Sequence, residues 1–479
     1  MLEMHLLLIP ALLVALIIIG NWRYGVALAI PIGLLQDPVR KLIPGEPVFL
    51  VAIVVVYVGL AAVVAISRLG GLRLRLVFGN QPMLIRFVNL FVIIVLIQSL
   101  LSALRFGSPI LSVIGLIAYL SPLPALWLAF YYPRNSGDIE RLLIRYIVLV
   151  IVIACTIQMS VLGLDWTIFE QVGEGLHIYD RFQRIRIEAH TGLLRGPDLA
   201  AWHMGAASCF LILLAVVTQR RWILTVGGPI VLFLIGSGLF TGRRKLLVAV
   251  LAYLVIYGLL LYYFRQRTGR RAIFAALSMA FLSVVVAAFV SPDRLVIALS
   301  PYLIRGQSVF GDIGDRFYTM VFEASTWAIH RGGFFGLGAG TGSQGSQHFT
   351  GYLAGGAAEG GFAKILVELG VPGLLVALLA FGSLFLYLWR ILHYCQTRDA
   401  EMTRLALGLF AFLMTQLPLF LGASQTYGDP LVLLILGLCL GFLLAIPRLL
   451  HLRMAMRQAT VAPVVPQFRD LWALPQGGS

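Results

Sequence analysis

The chain has 479 residues, of which 60% are hydrophobic and only 12% are charged, whereas about a quarter of the residues in a soluble domain are charged. A soluble fold of this length could not bury so much apolar surface, so the composition excludes a soluble protein and predicts an integral membrane protein. The net charge of +15 lies in short arginine runs between apolar segments. This pattern is typical of membrane orientation signals and excludes a nucleic-acid-binding domain.

A helix needs about 20 apolar residues to cross the hydrocarbon layer of a bilayer. The chain contains thirteen candidate spans, near residues 5–19, 24–37, 47–67, 84–104, 109–132, 142–163, 199–217, 222–240, 246–264, 272–291, 362–389, 403–422 and 428–447. The first lacks the basic flank and cleavage site of a signal peptide, so we expect it to be retained. The predicted fold is all-α: a polytopic membrane protein with about 12–13 transmembrane helices and a large outer, periplasmic loop that contains short helices.

Arginine-rich turns alternate with arginine-poor ones, and the positive-inside rule assigns the arginine-rich side to the cytoplasm. The predicted organisation is therefore N-terminal helices (1–163), a first outer loop (164–198), central helices (199–291), a large outer loop (292–361), C-terminal helices (362–447) and a basic cytoplasmic tail (448–479). The tail contains proline and glutamine and is expected to be disordered.

Cysteine and metal motifs carry no catalytic signal in this sequence. Its cysteines show neither CxxC nor zinc spacing, which indicates free thiols at Cys155, Cys209, Cys395 and Cys439. The sequence has no DxD, no HExxH and no P-loop. We therefore expect no catalytic metal, no cofactor and no ATP-driven chemistry.

Cations lie beside membrane helices at two places on the predicted outer face. Arg195 lies in the sequence RGPD directly before a helix, where a cation can face lipid headgroups or a phosphate. The sequence TGRRK contains Arg243, Arg244 and Lys245 between the eighth and ninth spans. On the outer face these cations oppose the topology rule and would bind an anion, since guanidinium groups pair with phosphate oxygens. If the helix count is off by one, they form an ordinary cytoplasmic turn.

The large outer loop combines charged residues with a glycine-rich run at 332–345. Glycine lets the backbone approach a ligand closely. The run lacks the preceding strand of a dinucleotide-binding motif. The spacing of Asp312 and Asp315 is more typical of a solvated turn than of a binding or catalytic site. His348 and Glu359 follow the glycines and are the side chains in this region that could accept a proton.

Further motifs follow in a fixed order. Gly196–Asp198 reads Gly-Pro-Asp before a helix, and TGRRK follows a helix end. Arg316 precedes an aromatic-rich segment with Trp327 and the sequence FFGLGAG, and Glu368–Gly373 reads Glu-x-Gly-x-x-Gly. The plain interpretation of Glu368 and of the glycines is helix packing and capping.

Over roughly residues 190–375 this order and spacing resemble the O-antigen ligase and O-antigen polymerase superfamily of bacterial envelope glycan enzymes. The chain departs from the family pattern in three places. Asp198 replaces an asparagine, the proline before the glycine-rich motif is missing, and Glu359 and Gly360 occupy the positions of a His-Asn pair.

The resemblance implies a glycosyltransferase that takes a glycan from undecaprenyl diphosphate at the outer face of the bacterial inner membrane, for exopolysaccharide or O-antigen synthesis. Its partners would be the lipid-linked donor and acceptor, the bilayer and other polysaccharide assembly proteins. Fixed cations can stabilise the leaving diphosphate without a metal, and the candidates are Arg195, Arg243, Arg244 and Arg316. Glu359 is the expected catalytic base and His348 the second choice. No residue separates a polymerase from a ligase; the divergence from the family favours a polymerase.

Two other classes of function fit the same composition. A transporter or flippase of lipid-linked or anionic substrates would use the arginines as a binding path and would need no base. Transporters place their working residues near the midplane of the membrane, whereas here the polar chemistry concentrates in two long outer loops. A non-catalytic scaffold would leave the arginine clusters unexplained.

Overall fold

A computed structural model describes residues 8–71, 73–164, 166, 168, 177–180, 185–267, 269, 271, 273–274, 278, 302, 314–315, 317–343, 346 and 359–459. Within these residues, ten helices are long and apolar enough to cross a membrane: Val48–Leu69, Pro82–Phe106, Pro109–Tyr131, Ser136–Val161, Pro197–Thr218, Arg221–Leu239, Lys245–Tyr263, Gly361–Gln396, Ala400–Gly422 and Pro430–Met456. Each coincides with one of the predicted spans. The protein is therefore an all-α, multi-pass membrane protein, as predicted.

The three other predicted spans have different outcomes. Span 5–19 corresponds to a shorter helix, Leu8–Gly20. Span 24–37 corresponds to the helix Trp22–Lys41, which contains Pro31 and Pro38 and several buried polar side chains. Span 272–291 lies outside the described residues, apart from three isolated positions.

The first part of the chain forms eight α-helices and one 3-10 helix, Val48–Ala52. The α-helices are α1 (Leu8–Gly20), α2 (Trp22–Lys41), α3 (Ile53–Leu69), α4 (Leu74–Val77), α5 (Pro82–Phe106), α6 (Pro109–Leu120), α7 (Pro122–Tyr131) and α8 (Ser136–Val161). Helices α5, α6 and α7 begin with proline, whose missing N–H is not needed in the first turn.

A two-stranded antiparallel hairpin follows, made of β1 (His177–Asp180) and β2 (Ile185–Glu188). The remaining elements are α9 (Pro197–Thr218), α10 (Arg221–Leu239), α11 (Lys245–Tyr263), one π-helical turn (Thr319–Glu323), α12 (Ala324–Gly332), α13 (Gly361–Gln396), α14 (Ala400–Gly422), a 3-10 helix (Ser424–Gly428) and α15 (Pro430–Ala459). The π-helical turn and α12 confirm that the segment 292–361 contains short helices.

Helix α9 is the centre of the bundle. It packs against α8, α10, α11 and α14. Of its 22 residues, 20 are buried. A helix that is apolar on every side is expected in such a position. The first residues of α9 are therefore fixed by packing on all sides.

Helices α7 and α15 pack closely against each other. A Cβ atom added at Gly437 would lie 2.5 Å from the backbone oxygen of Pro122, and one added at Gly441 would lie 2.3 Å from that of Leu126. Small residues four positions apart let two membrane helices approach closely. This contact fixes α15, and with it the connection from α14 that carries much of the site described next.

Candidate functional site

Several chain segments meet around the short connection between α14 and α15, which we call the connector (residues 424–429). It consists of the 3-10 helix Ser424–Gly428 and Asp429. The end of α2 and the residues before α9, α11 and α13 surround it, and we call this end of the bundle the connector end. Each of these segments carries charged residues close to the connector.

Arg195 links the end of α2 to the connector. Its Nη1 donates to Asp37 Oδ1 at 2.9 Å, its backbone N donates to Asp37 Oδ2 at 3.1 Å, and its Nη2 donates to Asp429 Oδ2. The two carboxylates are only 3% and 4% exposed. Burial alone would lower the pKa of Arg195, but attraction by Asp429 and Asp37 outweighs it and raises that pKa. The guanidinium is therefore held as a structural cation between two buried acids.

Asp198 is the second residue of α9. Its single carboxylate pairs with two cations, whereas Arg195 is a single cation that pairs with two carboxylates. Asp198 Oδ2 lies 3.1 Å from Arg243 Nη2, and Asp198 Oδ1 lies 2.5 Å from Lys245 Nζ. Lys245 also donates to Thr426 Oγ1 on the connector at 2.6 Å. A carboxylate in the first turn of a helix is stabilised by the helix dipole. This group has one more cation than carboxylate, whereas the group at Arg195 has one more carboxylate than cation.

A narrow pocket with room for about one water molecule lies beside this second group. Lys245 and Thr426 line it together with Trp202 and Tyr427. The pocket thus places an ammonium group and a hydroxyl beside aromatic walls.

Lysine is rare in this chain and is confined to the connector end. Only three of the 36 lysine and arginine residues are lysines. Lys41 Nζ, at the end of α2, donates to the backbone oxygens of Ile168, Gly192 and Leu194 at 3.1, 3.0 and 2.9 Å. Lys245 holds Asp198 and Thr426. The third, Lys364, lies in the first turn of α13 and is 5% exposed.

Glu359 reaches the connector through its backbone. Its carbonyl oxygen accepts a hydrogen bond from the backbone N of Ser424 at 2.7 Å. Its side chain is exposed. The structure therefore leaves the Glu359 carboxylate open to solvent.

The structure thus brings together several of the residues that the sequence singled out. Arg195, Arg243 and Glu359 all contact the connector or its direct neighbours. Arg244 lies in the same turn as Arg243, directly before α11. Arg316 and His348 lie outside the described residues.

Sequence reasoning missed the partners Asp37, Thr426 and Asp429, and it missed the buried Lys364. Two of them had a readable signal. An aspartate inside or beside an apolar run is costly unless a cation pairs with it, and both GLLQDPVRK and TYGDP contain one. Lys364 had the same signal in GGFAKILVE. Asp198 was noted only as a departure from a family motif.

A second group of polar contacts lies deeper in the bundle, where residues 333–343, the glycine-rich segment, pack between α5, α6 and α13. Glu368 of α13 is fully buried, and its Oε1 accepts from the backbone N of Gly342 at 2.9 Å and from Ser343 Oγ at 3.1 Å. The hydroxyl of Tyr119 lies near the same carboxyl group. These contacts of Glu368 hold the glycine-rich segment against α13. They agree with the interpretation of Glu368 as a packing and capping residue.

We expect His190, which lies between β2 and α9, to make the stability of the folded protein depend on pH. Its Nδ1 is hydrogen-bonded to Ser160 Oγ at 3.0 Å, and its burial lowers the pKa of the imidazole, partly offset by Glu188. In the unfolded chain the imidazole of His190 binds a proton near its ordinary pKa. In the folded chain it binds that proton only at a lower pH. Stability should therefore fall as the pH drops below about 6.5 and level off below the folded pKa.

The measurement is the melting temperature of detergent-solubilised protein between pH 7 and pH 5, compared with His190→Gln. The variant should show the smaller decline with falling pH. His330→Gln, which changes an exposed histidine of α12, should leave the decline as it is in the unaltered protein. Equal declines in all three proteins would contradict the assignment to His190.

Comparison with known proteins assigns no family: no protein-family model and no curated protein matches the chain. Within the described residues, no group of three or more His, Cys, Asp or Glu side chains is placed to hold a metal ion. The four cysteines are free, as predicted. The chemistry of the connector end must therefore be argued from its own side chains.

Proposed function

We propose that the protein is a membrane glycosyltransferase that polymerises or ligates undecaprenyl-diphosphate-linked oligosaccharide at the outer face of the bacterial inner membrane, in exopolysaccharide or O-antigen synthesis. The observation that carries the proposal is the local excess of positive charge where Arg243 and Lys245 share Asp198. A diphosphate gains negative charge as it leaves the sugar, and fixed cations stabilise that charge.

In the proposed reaction the acceptor hydroxyl oxygen attacks the anomeric carbon of the donor. The bond from that carbon to the phosphate oxygen breaks, and the lipid diphosphate leaves with the bonding electrons. The hydroxyl proton passes to Glu359, or to His348 as the second candidate. Arg243, Arg244 and Arg316 hold the diphosphate.

Arg195 has a different role in this proposal from the other arginines. Its guanidinium already donates to Asp37 and Asp429. A phosphate would have to displace a buried carboxylate to bind there, which is unfavourable. We therefore assign Arg195 to positioning the end of α2 and the connector.

Glu359→Gln should lower the elongation rate by about 10²-fold or more, because the acceptor loses its base. Arg243→Gln should lower it by about 10²-fold, because the leaving group loses a cation. The assay uses purified protein in lipid with a lipid-diphosphate-linked oligosaccharide and measures both longer glycan and released lipid diphosphate. Melting temperatures establish that each variant is folded.

Glu323→Gln is the matched control, because Glu323 is also an exposed glutamate of the segment 292–361 and has no role in the proposal. It should elongate at the unaltered rate. Folded, unaltered protein that never elongates its native lipid-linked unit would exclude the enzyme hypothesis.

Transport of a lipid-linked or anionic substrate is the second candidate function, and one observation favours it. Glu368 is an ionisable residue buried inside a membrane helix, and α13 has a non-helical residue two positions later, Gly370. Broken helices with buried ionisable groups are typical of secondary transporters. Movement of the lipid-linked unit across a vesicle membrane, without elongation, would support transport over transfer.

A further inference from the structure

A small pocket lies at the far end of α15 from the connector, where α4, α7, α13 and α15 meet. It has room for about two or three water molecules, a volume comparable with that of one phosphate group. We call it the basic pocket, because three of its lining residues have basic side chains: Arg75, Arg448 and His451. Among the described residues, no carboxylate lines it.

Arg448 of α15 is a half-buried cation with few partners. Its Nη2 donates to the backbone oxygen of Pro133 at 2.8 Å, and its guanidinium carbon lies 5.4 and 5.9 Å from the ring centroids of Phe130 and Tyr131. Its Nε is fully buried and has no hydrogen-bond partner among the described residues, whereas its Nη1 retains access to the surface. A guanidinium group has five N–H donors, so most of those of Arg448 lack a described acceptor.

Three carboxylates at this end of the bundle pair with other arginines. Asp138 pairs with Arg141, and Asp399 and Glu401 both pair with Arg453. Neither Arg448 nor Arg75 forms an ion pair with any residue that the structure describes. The basic pocket therefore carries two guanidinium charges that no described carboxylate neutralises.

The turn between α4 and α5 brings Arg75 to the pocket. Arg75 is exposed and belongs to α4, which packs against α7 and α15. In the turn that follows, Gly79 has φ +54°, and a Cβ atom added to it would lie 2.2 Å from the hydroxyl oxygen of Tyr387 in α13. The turn is thus pressed against α13, and this contact holds Arg75 beside the same pocket as Arg448.

The positive-inside rule accounts for arginines at the ends of membrane helices, but it does not require them to be partly buried around a pocket. Guanidinium donors that lose water without gaining acceptors are unfavourable. A phosphate group would supply those acceptors, since pairs of its oxygens match the guanidinium fork. Basic pockets between membrane helices are known to bind phospholipid headgroups.

The other walls of the pocket favour a lipid over a soluble phosphate. Leu76, Phe130 and Leu444 line it beside the cations. A phospholipid can place its phosphate on the arginines and its glycerol and upper acyl chains against such apolar side chains. Two cations without a carboxylate also favour a headgroup of net negative charge over a zwitterionic one.

We propose that the basic pocket binds the phosphate of an anionic phospholipid from the adjacent leaflet, with Arg75 and Arg448 as its phosphate contacts. The pocket lies at the opposite end of the bundle from the connector end. The inference therefore does not rest on the proposed function, and either can fail without the other.

The test titrates the full chain in detergent with phosphatidylglycerol or phosphatidylcholine and measures the affinity for the first bound lipid by native mass spectrometry. Phosphatidylglycerol should bind about tenfold more tightly than phosphatidylcholine, and Arg75→Gln and Arg448→Gln should each lose most of that difference. Arg75 is exposed, so Arg75→Gln tests the pocket even if Arg448→Gln does not fold. Equal affinity of the unaltered protein and Arg75→Gln for phosphatidylglycerol overturns the proposal.

Arg221→Gln is the matched control. Arg221 is an exposed arginine at the start of α10 and does not line the pocket. The variant should bind phosphatidylglycerol as the unaltered protein does. If it loses as much affinity as Arg75→Gln, general surface charge explains the binding and the pocket assignment fails.

Two further measurements on the unaltered protein separate the sources of the phosphate. Millimolar inorganic phosphate should leave phosphatidylglycerol bound; displacement would assign the pocket to a soluble phosphate and overturn the assignment to a lipid. A phosphatidylglycerol with a photoreactive group near its headgroup should label α4 and the last turns of α15. Labelling confined to other helices would contradict the proposed site.

Discussion

Replacing Arg195 with alanine should destabilise the folded protein by about 3–5 kcal/mol, the range for removing one partner of a buried ion pair. The change leaves Asp37 and Asp429, whose side chains are 3% and 4% exposed, as neighbouring carboxylates without a cation. It also separates the end of α2 from the connector. The expected readout is a large drop in melting temperature in detergent and a low yield of folded protein.

The control is an exposed ion pair of similar chemistry. Arg141 pairs with Asp138, but its side chain is 66% exposed, so Arg141→Ala should cost no more than about 1 kcal/mol. Adding Asp429→Asn to Arg195→Ala should recover part of the loss, because the second change removes one of the uncompensated charges. Equal losses for Arg195→Ala and Arg141→Ala would contradict a buried network at Arg195.

The membrane helices could be predicted from sequence because one physical quantity, the thickness of the hydrocarbon layer, sets their length. Helix α2 shows where this signal weakens. It contains Pro31 and Pro38, and it buries Asp37 and Arg40, so its mean hydropathy falls below that of a clear span. These polar residues are tolerated through contacts such as the pair with Arg195, which apolar length does not reveal.

The candidate site was predictable only in part for a similar reason. A predicted position on the outer face, which opposes the positive-inside rule, singles out Arg195 and Arg243. Their partners are remote: Asp37 and Asp429 lie 158 and 234 positions from Arg195 along the chain. No spacing rule connects residues so far apart. Which cations share which carboxylates is a property of the fold.

Backbone hydrogen bonds explain why the glycine-rich segment can lie inside the bundle. Its N–H groups donate to helix carbonyls: Leu337 N to Val367 O at 2.7 Å, Gly338 N to Glu368 O at 3.1 Å, and Ala339 N to Gln98 O at 3.1 Å. Irregular backbone at membrane depth is tolerated only where protein satisfies its polar groups in this way. The sequence suggested close approach to a ligand, but the described contacts are with the helices themselves.

Gly340→Ala should therefore destabilise the protein by about 3 kcal/mol or more, through positive-φ strain and overpacking together. Gly340 has φ +91°, and an added Cβ would lie 2.2 Å from the backbone oxygen of Leu111 in α6. Gly333 is the matched control, since its φ is +66° but nothing lies within 4 Å of an added Cβ. Gly333→Ala, at a position with φ +66° and ψ −171°, should carry only the conformational cost of replacing glycine by alanine, about 1–3 kcal/mol. Melting temperatures of the two variants make the comparison, and equal losses would show that the segment does not pack against α6.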